Sequence, residues 1–259
     1  MLTVIKIGGN VIDDADALDA FLCDFNKVEE PKILVHGGGK LATQFGLKLD
    51  IQPQYVHGRR KTDKQTLELV TMVYGGLINK NIVAVLQAKG CNAIGLTGAD
   101  AGVIKAVKRP VVDVDYGFVG DVPGSGVDVN ILASLLGLGL VPVLAPLTYD
   151  GNGGMLNTNA DTIAQEVAKA MAATMDVQLI YCFEKNGVLR DADDESSVIQ
   201  QIEVTDFDAL IAEGVISGGM IPKLENAGNA VSCGVKRVAI GNAAYISNIL
   251  SGKSGTEIL

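Results

Sequence analysis

Lysines, glycines and an aspartate stand in this chain where apolar runs give way to segments of helical period, and those residue types handle phosphate. Lys6-Ile7-Gly8-Gly9 and His36-Gly37-Gly38-Gly39 each close a short apolar strand and open a helix-like segment. A strand that ends in glycine lets the backbone turn tightly and approach a ligand, while the helix N-terminus behind it aims N–H groups at negative charge. Ser217-Gly218-Gly219-Met220-Ile221-Pro222-Lys223 supplies a second lysine. Pro222 is tolerated in the first turn of the helix that follows, and Lys223 projects from that turn. Asn157-Thr158-Asn159-Ala160-Asp161 begins a further helix. Asn and Asp are favoured caps, yet two asparagines and an aspartate can also bind substrate and hold two lysines in place.

Three nucleotide fingerprints compete for the glycines. His36-Gly37-Gly38-Gly39-Lys40-Leu41-Ala42 formally fits the dinucleotide pattern G-x-G-x-x-A. That pattern calls for an acid ending the next strand about 20 residues on, and the nearest acid, Asp63, sits at a helix start instead. A Walker A loop fails, because Gly252-Lys253-Ser254 has Ser247 where the first glycine belongs. The third reading is a kinase without a P-loop, with Lys6 and Lys223 facing each other across a phosphoryl group. Phosphoryl transfer leaves the protein little covalent work, so cations and N–H donors aimed at the phosphoryl oxygens carry the catalysis.

The elements that position these residues alternate. Strand-like runs Val4 to Ile7 and Lys32 to Val35 are followed by helices, from about Asp14 to Lys27 and up to about Leu49. This is the βαβ rhythm of a mostly parallel sheet. Thr62-Asp63-Lys64-Gln65 has capping-box spacing and starts a helical stretch through Lys89, with a bend or close-packing point at Gly75-Gly76. That helix is a candidate dimer surface. A strand at Ala93 to Leu96, turn-rich extended structure from Lys105 to Asp121, a helix near Val129 to Leu138 and a strand at Val141 to Ala145 follow. The remainder reads as a helix from about Asp161 to Met175, strands Val177 to Cys182 and Lys236 to Ile240, and helices near Phe207 to Glu213 and Met220 to Cys233.

With 259 residues, 48% of them hydrophobic, the chain can bury a large α/β core. Its net charge of −9 and scattered basic residues exclude a nucleic-acid-binding stripe. Cys23, Cys91, Cys182 and Cys233 form no Cys-x-x-Cys pair, so neither a zinc site nor a disulfide framework is signalled, as expected in a reducing cytoplasm. No basic leader precedes Leu2 and no uninterrupted apolar run reaches about 18 residues, so no membrane role is expected.

In its ordered motifs, from Lys6-Ile7-Gly8-Gly9 and His36-Gly37-Gly38-Gly39 through Gly58-Arg59-Arg60-Lys61-Thr62, Asn157-Thr158-Asn159-Ala160-Asp161, Gly187-Val188-Leu189 and Gly219-Met220-Ile221-Pro222-Lys223 to Gly255-Thr256, the chain resembles the amino acid kinase superfamily, and within it the acetylglutamate kinases. The resemblance implies a three-layer αβα sandwich with a mostly parallel central sheet. Residues 1–175 would form an N-terminal lobe for N-acylglutamate binding and dimerisation, and 176–259 a C-terminal lobe for ATP, sharing one sheet. It implies ATP-dependent phosphorylation of the γ-carboxylate of an N-acyl-L-glutamate, an early step of arginine synthesis. Lys6 and Lys223 would stabilise the phosphoryl group in the transition state and Asp161 would orient both. Backbone N–H groups of Gly9, Gly38 and Gly39 would bind oxygens, while Arg60 and Asn157 would hold the α-carboxylate and acyl-amide end. Glu184, Gly187, Val188, Leu189, Val215, Ile216 and Ser217 would surround ATP, with Mg²⁺ held mainly by phosphates and water and no protein metal site. Where many relatives carry an aspartate after the strand ending near Cys182, this chain has Glu184-Lys185.

Arginine-inhibited relatives resemble this chain plus an N-terminal helix that links dimers into a hexameric ring. The first strand starts at residue 2, so the expectation is an arginine-insensitive homodimer. Acetyl and succinyl substrates share the glutamate end, and their difference falls on the segment Gln52 to Arg60 and the loop before Asn157. His57, Arg59 and Lys61 are the cations near it. A non-catalytic small-molecule sensor on the same fold is the alternative from another class.

Overall fold

The computed structural model describes residues 1–259 apart from Glu30 and His57. In chain order the first elements are β1 (Leu2–Ile7), α1 (Gly9–Asp13), α2 (Ala15–Asn26), β2 (Lys32–His36) and α3 (Gly39–Lys48). A small hairpin, β3 (Tyr55–Val56) and β4 (Arg59–Arg60), leads to the long helix α4 (Lys64–Ala88). Next come β5 (Ala93–Leu96), β6 (Val107–Lys108), β7 (Gly120–Asp121), α5 (Val129–Gly137), β8 (Val141–Leu144), β9 (Leu147–Tyr149), β10 (Met155–Asn157) and α6 (Ala160–Ala172). The chain continues through β11 (Val177–Phe183), β12 (Gln201–Ile202), α7 (Phe207–Ala212), α8 (Met220–Ser232), β13 (Arg237–Asn242), α9 (Ile246–Leu250) and β14 (Thr256–Ile258).

One eight-stranded sheet carries the molecule, in the order β12-β14-β13-β11-β1-β2-β8-β5. Every neighbouring pair is parallel except β13 with β14. β1 and β11 are buried along their whole length, as strands covered by helices on both faces must be. Side chains alternate across such a strand. Leu2 and Val4 join a core with α6 and α8 on one face, while Ile5 and Ile7 join a core with α2 and α4 on the other. Three layers result, and Lys6 shares its face with Leu2 and Val4.

Among the described residues side-chain caps start four of the nine helices, at Asp14, Asp63, Asp128 and Asn159. Asp14 caps α2 by accepting from the N–H groups of Asp16 and Ala17, both at 3.0 Å. At α4 the cap is Asp63, which accepts from Thr66 N at 2.8 Å, and not Thr62 as the capping-box spacing suggests. Thr62 is fully buried, its backbone bonded to Tyr116 and Phe118, so it is unavailable to the helix end. The expected bend at Gly75-Gly76 is instead a π-helical segment, Thr71–Ile78, within a continuous helix. A Cβ on Gly75 would come within 3.3 Å of Leu147 and Thr97, so close packing is the reason for that glycine. Among the described residues α4 is the one helix long and apolar enough to cross a membrane by length and composition. Its Leu69, Val70, Val73, Tyr74, Ile78, Ile82 and Leu86 are buried within the core that covers one face of the sheet.

Candidate active site

β1 lies where the strand order reverses: the chain passes from β1 to β2 on one side, and β11 pairs on the other. Ligands of open α/β sheets bind at the carboxyl ends of strands at such a switch point. Lys6 is the penultimate residue of β1, in register with Val35 and Tyr181. Because it shares the face of Leu2 and Val4, its ammonium reaches the layer of α6 and α8. Lys6 Nζ lies 2.8 Å from Asp161 Oδ1, a contact of charge more than an aligned hydrogen bond. Lys223 Nζ, from the first turn of α8, donates to Asp161 Oδ2 at 3.4 Å and sits 5.9 and 5.7 Å from the centres of the Tyr181 and Phe183 rings. One carboxylate therefore holds both ammonium groups, whose side chains are 8% and 13% exposed.

Asn159 is the cap of α6, accepting from Asp161 N at 2.7 Å and Thr162 N at 3.2 Å. That leaves the Asp161 carboxylate for the lysines, in a first turn whose dipole favours negative charge. Tyr181 donates its hydroxyl to the Asp161 carbonyl at 3.2 Å and fixes the same turn from β11. Burial alone would raise the Asp161 carboxyl, but Lys6 and Lys223 together hold it below the usual carboxylate range. Burial, then repulsion from Lys6, lowers the Lys223 ammonium, with Asp161 opposing. Asp161 stays ionised with both oxygens engaged, so it positions cations and is no proton acceptor.

The two glycine turns meet beside this cluster. α1 and α3 start at N-caps Gly8 and Gly38, neither of which caps with a side chain, so their first N–H groups are left for a ligand. Gly37 N donates to Ile7 O at 3.1 Å, which locks one turn onto the other. Gly38 has φ +147°, and a Cβ there would lie 2.3 Å from Ile78 Cδ1. Gly38→Ala is therefore expected to cost about 1–3 kcal/mol of stability through backbone strain, with overpacking adding to it. Urea denaturation checks this, and an unchanged midpoint would contradict it.

A cavity of about 260 Å³ opens from the cluster, and Lys6, Gly9, Gly38, Gly39, Arg60, Asn157 and Asp161 all line it. Lys223 does not line it and adjoins it only through its contact with Asp161. Arg60 Nη2 donates to Gly39 O at 2.8 Å, Thr43 Oγ1 at 2.8 Å and Tyr55 Oη at 2.6 Å, so the guanidinium is held on the first turns of α3. Asn157 ends β10 and donates from Nδ2 to Thr62 Oγ1 at 2.9 Å. Of the cations expected near the acyl end, Arg59 lines the cavity, Lys61 faces a separate recess with Gln52 and Tyr116, and His57 lies outside the described residues. Tyr55, from the segment Gln52 to Arg60 expected at the acyl end, also lines it, and so do Tyr74, Arg109, Val119 and Pro146, which the sequence did not single out. Arg109 is paired with Asp121 through Nε at 3.0 and 3.1 Å and through Nη2 at 2.5 Å.

The C-terminal candidates lie apart from this cavity. Val188 is buried, its N–H donating to Thr256 Oγ1 at 2.8 Å, and Leu189 bridges Val198. Gly187 stands where a Cβ would meet Thr256 Oγ1 at 2.7 Å. Ile216 is buried with its N–H on Leu210 O, Val215 packs partly against the same core, and Ser217 O accepts from Met220 N. Glu184 follows β11 and lines a second cavity of about 290 Å³ with Asn10, Phe183 and Asn242.

Known proteins similar to this chain share one family. The chain is 58% identical over 257 residues, 99% of its length and 98% of the relative's, to acetylglutamate kinase of Phocaeicola vulgatus. It is 59% identical over 245 residues, 95% of its length and 93% of the relative's, to acetylglutamate kinase of Bacteroides fragilis. The crystal structure of smu.665 from Streptococcus mutans UA159 superposes with a TM-score of 0.77 at 31% identity, covering 93% of this chain and 94% of that one. A model of the amino acid kinase family matches residues 1–242. With paired glycine turns, opposed lysines and near-complete coverage in agreement, the chain belongs to the amino acid kinase family.

Proposed function

We propose that the chain transfers the γ-phosphoryl group of ATP to the γ-carboxylate of N-acetyl-L-glutamate, forming N-acetyl-L-glutamyl 5-phosphate in arginine biosynthesis. The observation that carries this reading is the Lys6–Asp161–Lys223 bridge at a cavity where two glycine-headed helices meet. The nucleophile needs no base, since a γ-carboxylate with an ordinary pKa near ~4.3 is already ionised at neutral pH. One carboxylate oxygen forms the new O–P bond as the bond from the γ-phosphorus to the bridging oxygen of ADP breaks. Lys6 and Lys223 offset the charge on the phosphoryl oxygens between them, and the N–H groups of Gly9, Gly38 and Gly39 add fixed donors. Arg60 meets the α-carboxylate with its planar fork and Asn157 the acyl-amide end.

ATP falls to the C-terminal lobe, 176–259, with Glu184, Gly187 to Leu189 and Val215 to Ser217 around it, and the acylated amino acid to the lobe 1–175. Mg²⁺ would arrive on the nucleotide phosphates and neutralise them there. A homodimer joined along α4, where Met72 and Leu77 are exposed, and a place in the cytoplasm complete the reading. A second reading, N-succinyl-L-glutamate as substrate, draws on Arg59 and Arg109 in the cavity. Engagement of Arg109 by Asp121 favours the neutral acetyl group.

An ADP-release assay with N-acetyl-, N-succinyl- and free L-glutamate tests the assignment. Turnover is expected with the acetyl substrate and not with free glutamate, and a higher kcat/KM for the succinyl compound would transfer the assignment to the second reading. The lowered Lys223 ammonium adds a pH signature. Its charged form is the active one, so kcat/KM, which reports the free enzyme, falls as pH rises through a value below the ordinary 10.5. Tyr181 is pushed well above 10 and Cys182 up to about 12, so neither neighbour titrates there first. The substrate amine is blocked as an amide and contributes nothing. A profile flat to pH 10.5 would contradict the role given to Lys223.

A further inference from the structure

His36 ends β2 directly before the glycine turn and is fully buried. Its Nδ1 lies 2.8 Å from Gly37 O and its Nε2 lies 3.2 Å from Asn79 Nδ2. The Asn79 amide has one orientation, because Nδ2 also donates to Val143 O at 2.9 Å and Oδ1 accepts from Lys80 Nζ at 3.2 Å. An amide nitrogen only donates, so Nε2 must accept and the imidazole proton sits on Nδ1, where it donates to Gly37 O. Burial lowers the imidazole to about 4, which keeps it neutral while the protein works.

The Gly37 carbonyl and the Gly38 N–H belong to one planar trans peptide and point in opposite directions. Anchoring the carbonyl on the buried imidazole turns the Gly38 N–H away from it. Among the described residues that N–H donates to no protein acceptor, and Gly38 lines the cavity beside Lys6. From the other side, Ile78 and Tyr74, the last turn of the π-helical segment before Asn79, cover Gly38. The turn is thus clamped between an imidazole and a helix that the same imidazole touches.

We propose that His36 is a positioning residue for phosphoryl transfer: its Nδ1–H clamp on Gly37 fixes the peptide whose other end, the Gly38 N–H, meets the phosphoryl oxygens. This rests on the functional reading above. A residue that only fills a polar gap in the core would affect stability and activity together, whereas a clamp separates them.

Two variants make that separation. In His36→Asn an amide nitrogen takes the place of Nδ1 and keeps the donor to Gly37, while in His36→Gln an amide oxygen takes the place of Nε2 and keeps the acceptor for Asn79. The expected result is that His36→Gln loses about tenfold or more in kcat, the scale of one hydrogen bond, with KM for the acylated amino acid little changed. His36→Asn loses stability but retains kcat to within a few-fold. Equal losses of kcat in both variants, or none in either, would overturn the proposal. Folding failure does not block the test, because the chain has two histidines and His57→Gln leaves His36 as the single imidazole for ¹⁵N NMR. A neutral Nδ1–H tautomer is expected, and an Nε2–H tautomer or an imidazolium at neutral pH overturns the clamp. A parent enzyme inactive on N-acylglutamates overturns the functional reading instead, and the tautomer still decides whether the clamp exists.

Discussion

Lys6→Ala and Lys223→Ala each lower kcat at least about 10²-fold, the scale for removing one preorganised charge donor from a water-poor site. Both ammonium groups are nearly buried and fixed by one carboxylate, so neither has to reorganise as charge builds on the phosphoryl oxygens. In the proposed binding mode Arg60 and Asn157 would hold the substrate by contacts that neither lysine makes, so KM for the acylated amino acid should move little. A lysine-to-arginine change is not expected to rescue. The planar guanidinium is longer and forked, and the space above Tyr181 and Phe183 receives a compact ammonium. The double variant should lose less than the product of the single losses, because the two cations act on one group. Steady-state kinetics on the purified variants checks this, and losses below tenfold in both would sink the mechanism.

Asp161→Ala should cost about 3–5 kcal/mol of folding stability, the scale for leaving buried charge without its partner. Two ammonium groups would then face each other with nothing between them. Asp161→Asn keeps the shape and loses the charge, so it too should be destabilised and slow. Removing one cation as well, as in Asp161→Ala with Lys223→Met, should recover part of the lost stability, since the repulsion disappears with it. The sign of the pH dependence follows from the lowered carboxyl. A group whose folded pKa lies below its unfolded value contributes stability in full above the unfolded value, here 3.8, and that contribution fades as pH falls through the folded one. Urea unfolding of the parent and of Asp161→Ala between pH 7 and pH 2 should therefore show a gap that narrows below 3.8. A gap constant with pH would contradict the bridge.

Residues that act through a regular element were legible. Lys6 follows Leu2 and Val4 at a period of two, Lys223 follows Pro222 in a helix start, and Asp161 sits in the first turn of a capped helix, so each side chain's place on its element was readable, and the sheet order brings them together. Arg60 and Asn157 were legible as motif members. Arg109 and Val119 were not, because they lie beside two-residue strands, too short for any alternation to show. The β9–β10 hairpin hid for a related reason: three-residue strands flank a turn in which Gly151 and Gly153 both take positive φ. Thr62 illustrates the limit of a local rule, since tertiary bonds to Tyr116 and Phe118 outweighed its capping-box spacing and Asp63 took the cap.

Acyl phosphates react with hydroxylamine and phosphoanhydrides do not do so readily, so trapping reads the transferred group directly. Parent enzyme with ATP, Mg²⁺, N-acetyl-L-glutamate and hydroxylamine is predicted to form the acyl hydroxamate in step with ADP, and Lys6→Ala to form almost none. ADP release without hydroxamate, or equal hydroxamate from parent and Lys6→Ala, would contradict phosphoryl transfer to the γ-carboxylate at the Lys6–Asp161–Lys223 cluster.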